Sequence, residues 1–423
     1  MQYTKKDLGS FNLHIIETNE FKTITMRIVF HSPIKKEEIT KRIVLSDLLL
    51  QSTKKYSSKR NMIMEAEDLY AAEVYNHTQR IGNYMMTSFI LQVLNDSYTE
   101  KGNFEKAVEF MRDILYDPDI KNNSFKEDKL AIVKKNCEGN ISSIKEDPQE
   151  YAIIRSKEAY DKDNPIAYRM VGYKEDLEKI TVKNLVESYE KMIEDDFVDI
   201  YVVGKIEKEE ILRIIKKYFK FRKIKKKKMP YEVENKPCRK RRLMAKEIIE
   251  ATQSKLAICC PVGKLKKEEM NYPLVLGNIL LGGGVDSKLF QEVREKNSLC
   301  YTIYSGYSKL DQMIYITAGI DRENYEKTLT LITNILEKMK RGKFSDKDIK
   351  IAKEFYQTSI ESIEENPMNL IREYITQEIT GIEPYQERGK RMAKVTKREI
   401  IKAMKKVNMD TVFLLEGNED ERD

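Results

Sequence analysis

The 423-residue sequence predicts an α+β protein of two homologous domains, each a mostly antiparallel sheet with helices on one face. Three observations carry this. The two halves of the chain repeat each other. Short segments alternate polar and apolar residues, longer ones repeat with helical spacing, and the two kinds are segregated rather than interleaved. The composition, 41% hydrophobic and 34% charged, is that of a globular protein with a sizeable core.

The repeat is legible in the letters. NFEKAVEFMRDIL from Asn103 matches NYEKTLTLITNIL from Asn324, and FKEDK from Phe125 matches FSDKD from Phe344. SIKEDP ending at Pro148 matches SIEENP ending at Pro367, and ITVKNL around Thr181 matches VTKREI around Thr396. VDIYVVG ending at Gly204 matches TVFLLEG ending at Gly417. The offset shrinks from 221 to 213 along the chain, as small loop deletions would produce. Repeats of this size are whole domains rather than solenoid units. The expected division is 1–205 and 251–423, joined by a basic linker at 206–250.

Each half reads in the same order. A strand comes first, Thr23 to Phe30 or Lys255 to Cys260, then a helix, Ile39 to Leu50 or Asn271 to Leu281. In the first half a helix at Asn61 to Leu69 and a hairpin of Ala71 to Tyr75 with Tyr84 to Val93 follow. Two or three long amphipathic helices come next, and Val198 to Val203 or Thr411 to Leu415 closes the unit.

The second half organises itself around Leu281 to Tyr301. Gly282, Gly283 and Gly284 read as a loop that needs positive φ. Asp286 then caps a helix, with Val285 and Phe290 as the two ends of a hydrophobic staple. Leu289, Phe290 and Val293 give that helix its apolar face, and Asn297 is its left-handed stop. The period then changes to two. Leu299, Tyr301 and Ile303 are expected on one face of a strand, and Met313 to Ile320 is its antiparallel partner.

Charge and residue counts exclude several classes. No run of eighteen apolar residues could span a membrane, and the N-terminus shows no signal-peptide pattern. The five cysteines form no CxxC pair, which suits reduced thiols in the cytoplasm. Sixteen Lys and Arg against two Glu between Ile211 and Lys246 give that segment +14, against +7 for the whole chain, which leaves −7 elsewhere. The segment, with its run RKIKKKK from Arg222 to Lys228, reads as a solvated linker. Nucleic-acid binding is the weaker alternative, since no base-reading motif accompanies it. A third reading has it adding positive potential to the rim of a peptide-binding cavity. His14, His31 and His77 are the only histidines, and no two are spaced to share a helix face. They read as a strand residue, a residue following a strand and a turn residue, so no metal site or cofactor is expected in this chain. No GxSxG elbow points to serine chemistry.

The run SKLFQEVRE from Ser287 to Glu295, with Leu299, Tyr301 and the strand ending ITAGID, resembles the C-terminal domain of the pitrilysin/insulinase family of zinc peptidases. The resemblance covers nearly the whole chain. It is closest to the small bacterial two-chain members and similar to the mitochondrial processing peptidase subunits, in which each chain forms half of a clamshell. It implies that Arg294 and Tyr301 hold a substrate peptide, together with the loop of Gly282, Gly283 and Gly284. Active members carry HxxEH on their first long helix. Aligning LSDLLLQSTKKYS on the family stretch puts Ile43, Ser46 and Asp47 at those positions, and a downstream Glu would fall near Gly139 or Asn140. The resemblance therefore implies a non-catalytic subunit. Its partners are an HxxEH-containing sister chain, which holds the zinc, and a peptide or protein substrate. Homodimer formation by the isolated chain stays open. So do a purely structural scaffold and a nucleic-acid-associated protein acting through the basic segment.

Overall fold

The computed structural model describes residues 1–222 and 229–418; Lys223 to Lys228, the body of the basic run, lie outside the described residues. The chain forms two compact units. One comprises Met1–Ser142, Arg169–Pro230 and Glu364–Ile375; the other comprises Ser143–Tyr168, Tyr231–Ile363 and the chain from Thr376 on.

The first unit is built on six strands: β1 (Gln2–Asp7), β2 (Asn12–Glu17), β3 (Thr23–Pro33), β4 (Glu73–Ile81), β5 (Tyr84–Leu94) and β6 (Phe197–Gly204). Their order is β1-β2-β6-β3-β5-β4. Only the β2–β6 pair is parallel. Alternation puts Leu13, Ile15, Met26, Ile28, Phe30, Phe89, Ile200 and Val202 on one face. Helices Lys36–Leu49, Asn103–Tyr116, Val182–Asp195 and Lys208–Tyr218 close the core over them. Each such side chain, fully buried, contributes about 1.5–3 kcal/mol. The second face carries Asn12, His14, Thr25, Arg27, His31 and Asp199, all buried. Over it lies the segment 364–375, with Tyr374 stacked on Tyr3 at 4.0 Å.

The second unit has five strands: β7 (Leu243–Ile249), β8 (Ser254–Pro261), β9 (Thr302–Ser308), β10 (Met313–Ile320) and β11 (Thr411–Gly417), in the order β7-β11-β8-β10-β9. Leu256, Ile258, Ile314, Ile316, Val412 and Leu414 face helices Pro273–Gly282, Tyr325–Lys340 and Lys397–Met404. On the other face, Ala257, Phe413 and Leu415 pack against Tyr151 and Ala152 of helix Pro148–Asp161. The repeated strands hold equivalent places. β6 and β11 each lie between a parallel neighbour, β2 or β7, and an antiparallel one, β3 or β8.

Two expectations need correcting. The compact units do not follow cuts at 205 and 251. The helix after the repeated Pro148 belongs to the unit with β7–β11, and the start of its repeat, after Pro367, belongs to the unit with β1–β6. Helical periodicity shows that a helix has an apolar face; it does not say which sheet receives it. Nor is 206–250 simply a linker. Ile211, Ile214 and Ile215 of helix Lys208–Tyr218 are buried in the first core, Tyr231 and Val233 are buried, and Leu243–Ile249 is β7. Arg213, Lys216 and Lys217 occupy the solvent side of that helix, so counting charge hid the apolar stripe.

Candidate functional site

Helix Pro273–Gly282 runs through Gly282, and Gly283 caps it with a φ of −82°. None of the three glycines has a left-handed φ, contrary to the expected turn. They are required by space instead. A Cβ on Gly282 would lie 2.6 Å from the Ser305 backbone nitrogen, 2.7 Å from its Oγ and 2.9 Å from Leu289 Cδ1. The helix end and β9 thus approach backbone to backbone, and Ser305 Oγ fastens them by donating to Asn278 Oδ1 at 2.8 Å. On Gly283 a Cβ would meet Ile279 Cα at 2.7 Å, whereas on Gly284 it would only touch the Phe355 ring at 3.4 Å.

The next turn also departs from expectation. Ser287 caps it, its Oγ accepting from the Phe290 N–H at 3.4 Å, and Asp286 does not. Val285 is 61% exposed, so it forms no staple with Phe290. Residues Phe290–Glu295 wind as a π-helix, a form that recurs at functional positions. Leu289 and Val293 are fully buried, as the apolar face requires. Ser298, with φ 49°, and not Asn297, takes the left-handed conformation. The Asn297 amide instead donates back to the Glu292 carbonyl at 2.6 Å.

The connection 294–301 carries both predicted peptide-holding residues outward. Arg294 is 44% exposed, its guanidinium 4.7 Å from the Phe290 ring centroid and its Nε 3.8 Å from the Glu295 carboxylate. Tyr301 precedes β9, donates its N–H to the Gly319 carbonyl at 2.9 Å and leaves its ring 45% exposed. Ile303 is buried, so the expected common face of Tyr301 and Ile303 is not formed. Cys300 is buried, and burial pushes its thiol up to about 11. Beside Gly284 lies a shallow open cleft lined by Ile279, Val285, Asp286, Ile351, Ala352 and Phe355.

Helix Lys36–Leu49 carries Ile43, Ser46 and Asp47, the positions that the resemblance aligns with HxxEH. Ile43 is half-buried against the first core. Ser46 Oγ is spent on the Ile43 carbonyl, to which it donates at 2.9 Å. Asp47 accepts from the Asn76 amide of β4 at 2.7 Å, and burial raises its carboxyl above the usual range. Gly139 and Asn140, on helix Glu127–Ser142, offer no carboxylate. An isoleucine, a committed hydroxyl, one carboxylate and an amide do not fit zinc, which takes imidazole, thiolate or carboxylate ligands in a tetrahedron. Among the described residues no three His, Cys, Asp or Glu side chains converge to hold a metal ion.

Sequence reasoning missed where the histidines go. His31 and His77 lie inside β3 and β4, not after a strand or in a turn. His14 Nε2 and His31 Nε2 each sit 3.1 Å from one oxygen of the fully buried Asp199, which also accepts from the Asn12 amide at 2.8 Å. Burial alone would raise this carboxyl, but the hydrogen bonds from His14 and His31 outweigh it and hold the group well below the usual range. The Tyr3 hydroxyl meets His14 Nδ1 at 2.8 Å. The signal was present in Asn12 and His14 alternating with Leu13 and Ile15, and in the lone acid of VDIYVVG.

The family described as the peptidase M16 inactive domain matches residues 179–356. The probable inactive metalloprotease YmfF of Bacillus subtilis is 28% identical over 98% of both chains. A conserved protein of Enterococcus faecalis superposes with a TM-score of 0.89 over 100% of both chains at 26% identity. A peptidase M16 inactive domain from Pseudomonas fluorescens gives 0.81 over 100% of both at 17% identity, a likeness of fold.

Proposed function

The chain is an inactive member of the peptidase M16 family, and from this we propose that it is the non-catalytic, substrate-binding subunit of a two-chain zinc-dependent endopeptidase. Its partner is a sister chain with HxxEH intact. One observation carries the reading: Arg294 and Tyr301 both stand exposed at the ends of one short connection, in a chain with Ile43, Ser46 and Asp47 at the positions the resemblance aligns with HxxEH. Arg294 offers a rigid fork of donors for peptide carbonyls or a carboxylate. The Tyr301 hydroxyl adds a donor and an acceptor. Neither needs a metal, and opposite a zinc-bound water on the sister chain they would orient a scissile bond. The five cysteines are free thiols, which suits the cytoplasm.

The test is co-expression with an HxxEH-bearing family member encoded beside this chain. The two should elute together, and peptide cleavage should require both. A sister chain equally active alone would refute the subunit role.

A further inference from the structure

β7 lies at the edge of its sheet; its counterpart in the first unit, β2, does not. β1 runs antiparallel along β2, Gln2 opposite Glu17 through Asp7 opposite Asn12. β2 and β7 each have a parallel strand on their other side, β6 and β11. Among the described residues no strand takes on β7 the place that β1 takes on β2. Such an edge presents unspent backbone N–H and C=O groups to any strand that fits.

The side chains of β7 say what fits. Met244 and Ile248 are 51% and 63% exposed, on the same strand face and flanking Lys246. A lysine on an edge strand usually deters pairing, but Lys246 is neutralised by the Glu416 carboxylate of β11. Just before the strand, Arg239 is bound to Asp410 and Arg242 to the Thr333 hydroxyl. Lys240 and Arg241 are exposed, and neither has a side-chain partner among the described residues. They belong to the basic segment that stands out in the sequence and that the peptide-holding role leaves unexplained.

We propose that the β7 edge docks an extended segment of another protein, added antiparallel to β7 as β1 is added to β2. Apolar side chains of the segment face Met244 and Ile248, and acidic residues at its C-terminal end face Lys240 and Arg241. The charge fixes the occupant and its direction, because an antiparallel strand brings its C-terminal end to the start of β7. A second copy fits worse. Two β7 strands paired antiparallel about Lys246 would set Thr252 and Ala251 opposite Lys240 and Arg241, so a second copy offers those cations no acid.

The probe is a labelled nine-residue peptide with Val facing Ile248 and Met244, Glu facing Arg241 and Lys240, and Thr elsewhere. Fluorescence anisotropy with the full chain should show saturable binding. Lys240→Glu with Arg241→Glu should weaken it about three- to thirtyfold, as two exposed ion pairs reversed would. Ile248→Asp should weaken it as well, and N-methylation of alternate probe amides should abolish it. All three changed residues are exposed, and circular dichroism checks that the fold survives. The proposal is overturned if a probe with Lys in place of Glu binds equally, if the N-methylated probe binds, or if no probe saturates. It is also overturned if the chain alone forms a dimer that Ile248→Asp dissolves, since the edge then belongs to a second copy.

Discussion

Replacing Gly282 by Ala adds one methyl where helix Pro273–Gly282 meets β9. The new Cβ would stand 2.6 Å from a strand backbone nitrogen and 2.7 Å from Ser305 Oγ. β9 cannot retreat freely, because Ser305 pairs with Ile316 of β10 and its hydroxyl is bound to Asn278. Overpacking of this kind costs about 1–3 kcal/mol. Alanine recovers part of that, up to about 1 kcal/mol, through its better helix propensity, less at a helix end. The net expectation is a loss of about 1–2 kcal/mol, or a drop of roughly 2–8 °C for a unit of this size. Gly284→Ala is the control, since its Cβ meets only the edge of a Phe355 ring at 3.4 Å. It should stay within about 0.5 kcal/mol of the parent. Thermal and urea melts of the three proteins decide the matter. If Gly282→Ala is as stable as the parent, or if both substitutions cost the same, the close approach of helix and strand is not what requires glycine.

Other outcomes follow from individual residues. Lys309 Nζ is buried with no hydrogen-bond partner among the described residues, and burial lowers its pKa to about 8. The unfolded chain therefore binds more protons between about pH 8 and 10.5, and stability should rise with pH across that window. Lys309→Met should remove this slope and, discounted for partial exposure, stabilise the protein by about 1–2 kcal/mol at pH 7 in urea melts. Asp199→Ala should cost about 3–5 kcal/mol by chemical denaturation, because it strips the shared acceptor from His14 and His31. The folded Asp199 carboxyl lies below its unfolded value, so its contribution is present above the usual carboxylate range and is lost as the pH falls through that range and below it. Elemental analysis of the purified chain should find far less than stoichiometric zinc, given Ile43, Ser46 and Asp47; a full equivalent of zinc would contradict the donor argument.

The strands and most helices were legible because their periods are clean. Thr23 to Phe30 alternates and lies within β3, and Met313 to Ile320 is β10. The duplication was legible because the same strand closes each half, β6 and β11. What sequence could not show was tertiary. The glycines at 282–284 look the same whether a turn needs positive φ or a strand needs room, and only the position of Ser305 decides. The left-handed residue was sought at Asn297 on propensity, but the π-helical turn shifts the stop by one, to Ser298. The basic segment hid a buried isoleucine stripe and an edge strand, because charge counts ignore period. Arg294 and Tyr301 are singled out only by the family resemblance. An exposed Arg beside a Phe, and a Tyr before a strand, carry no signature of their own.

The most direct test of the account is steady-state kinetics of the chain reconstituted with the HxxEH-bearing sister proposed for it. A hydrogen bond to a charged donor contributes about 1.5–3 kcal/mol and a neutral one about 0.5–1.5. At about 1.36 kcal/mol per tenfold, Arg294→Ala should lower kcat/KM roughly ten- to a hundredfold and Tyr301→Phe about two- to tenfold. Arg294→Lys should rescue poorly, since a point charge does not reproduce a planar fork. Gel filtration and circular dichroism should show pairing and fold unchanged in all three. If Arg294→Ala and Tyr301→Phe both leave kcat/KM within about twofold while the pair stays intact, the chain does not hold substrate through these residues, and a structural role takes the place of the peptide-binding one.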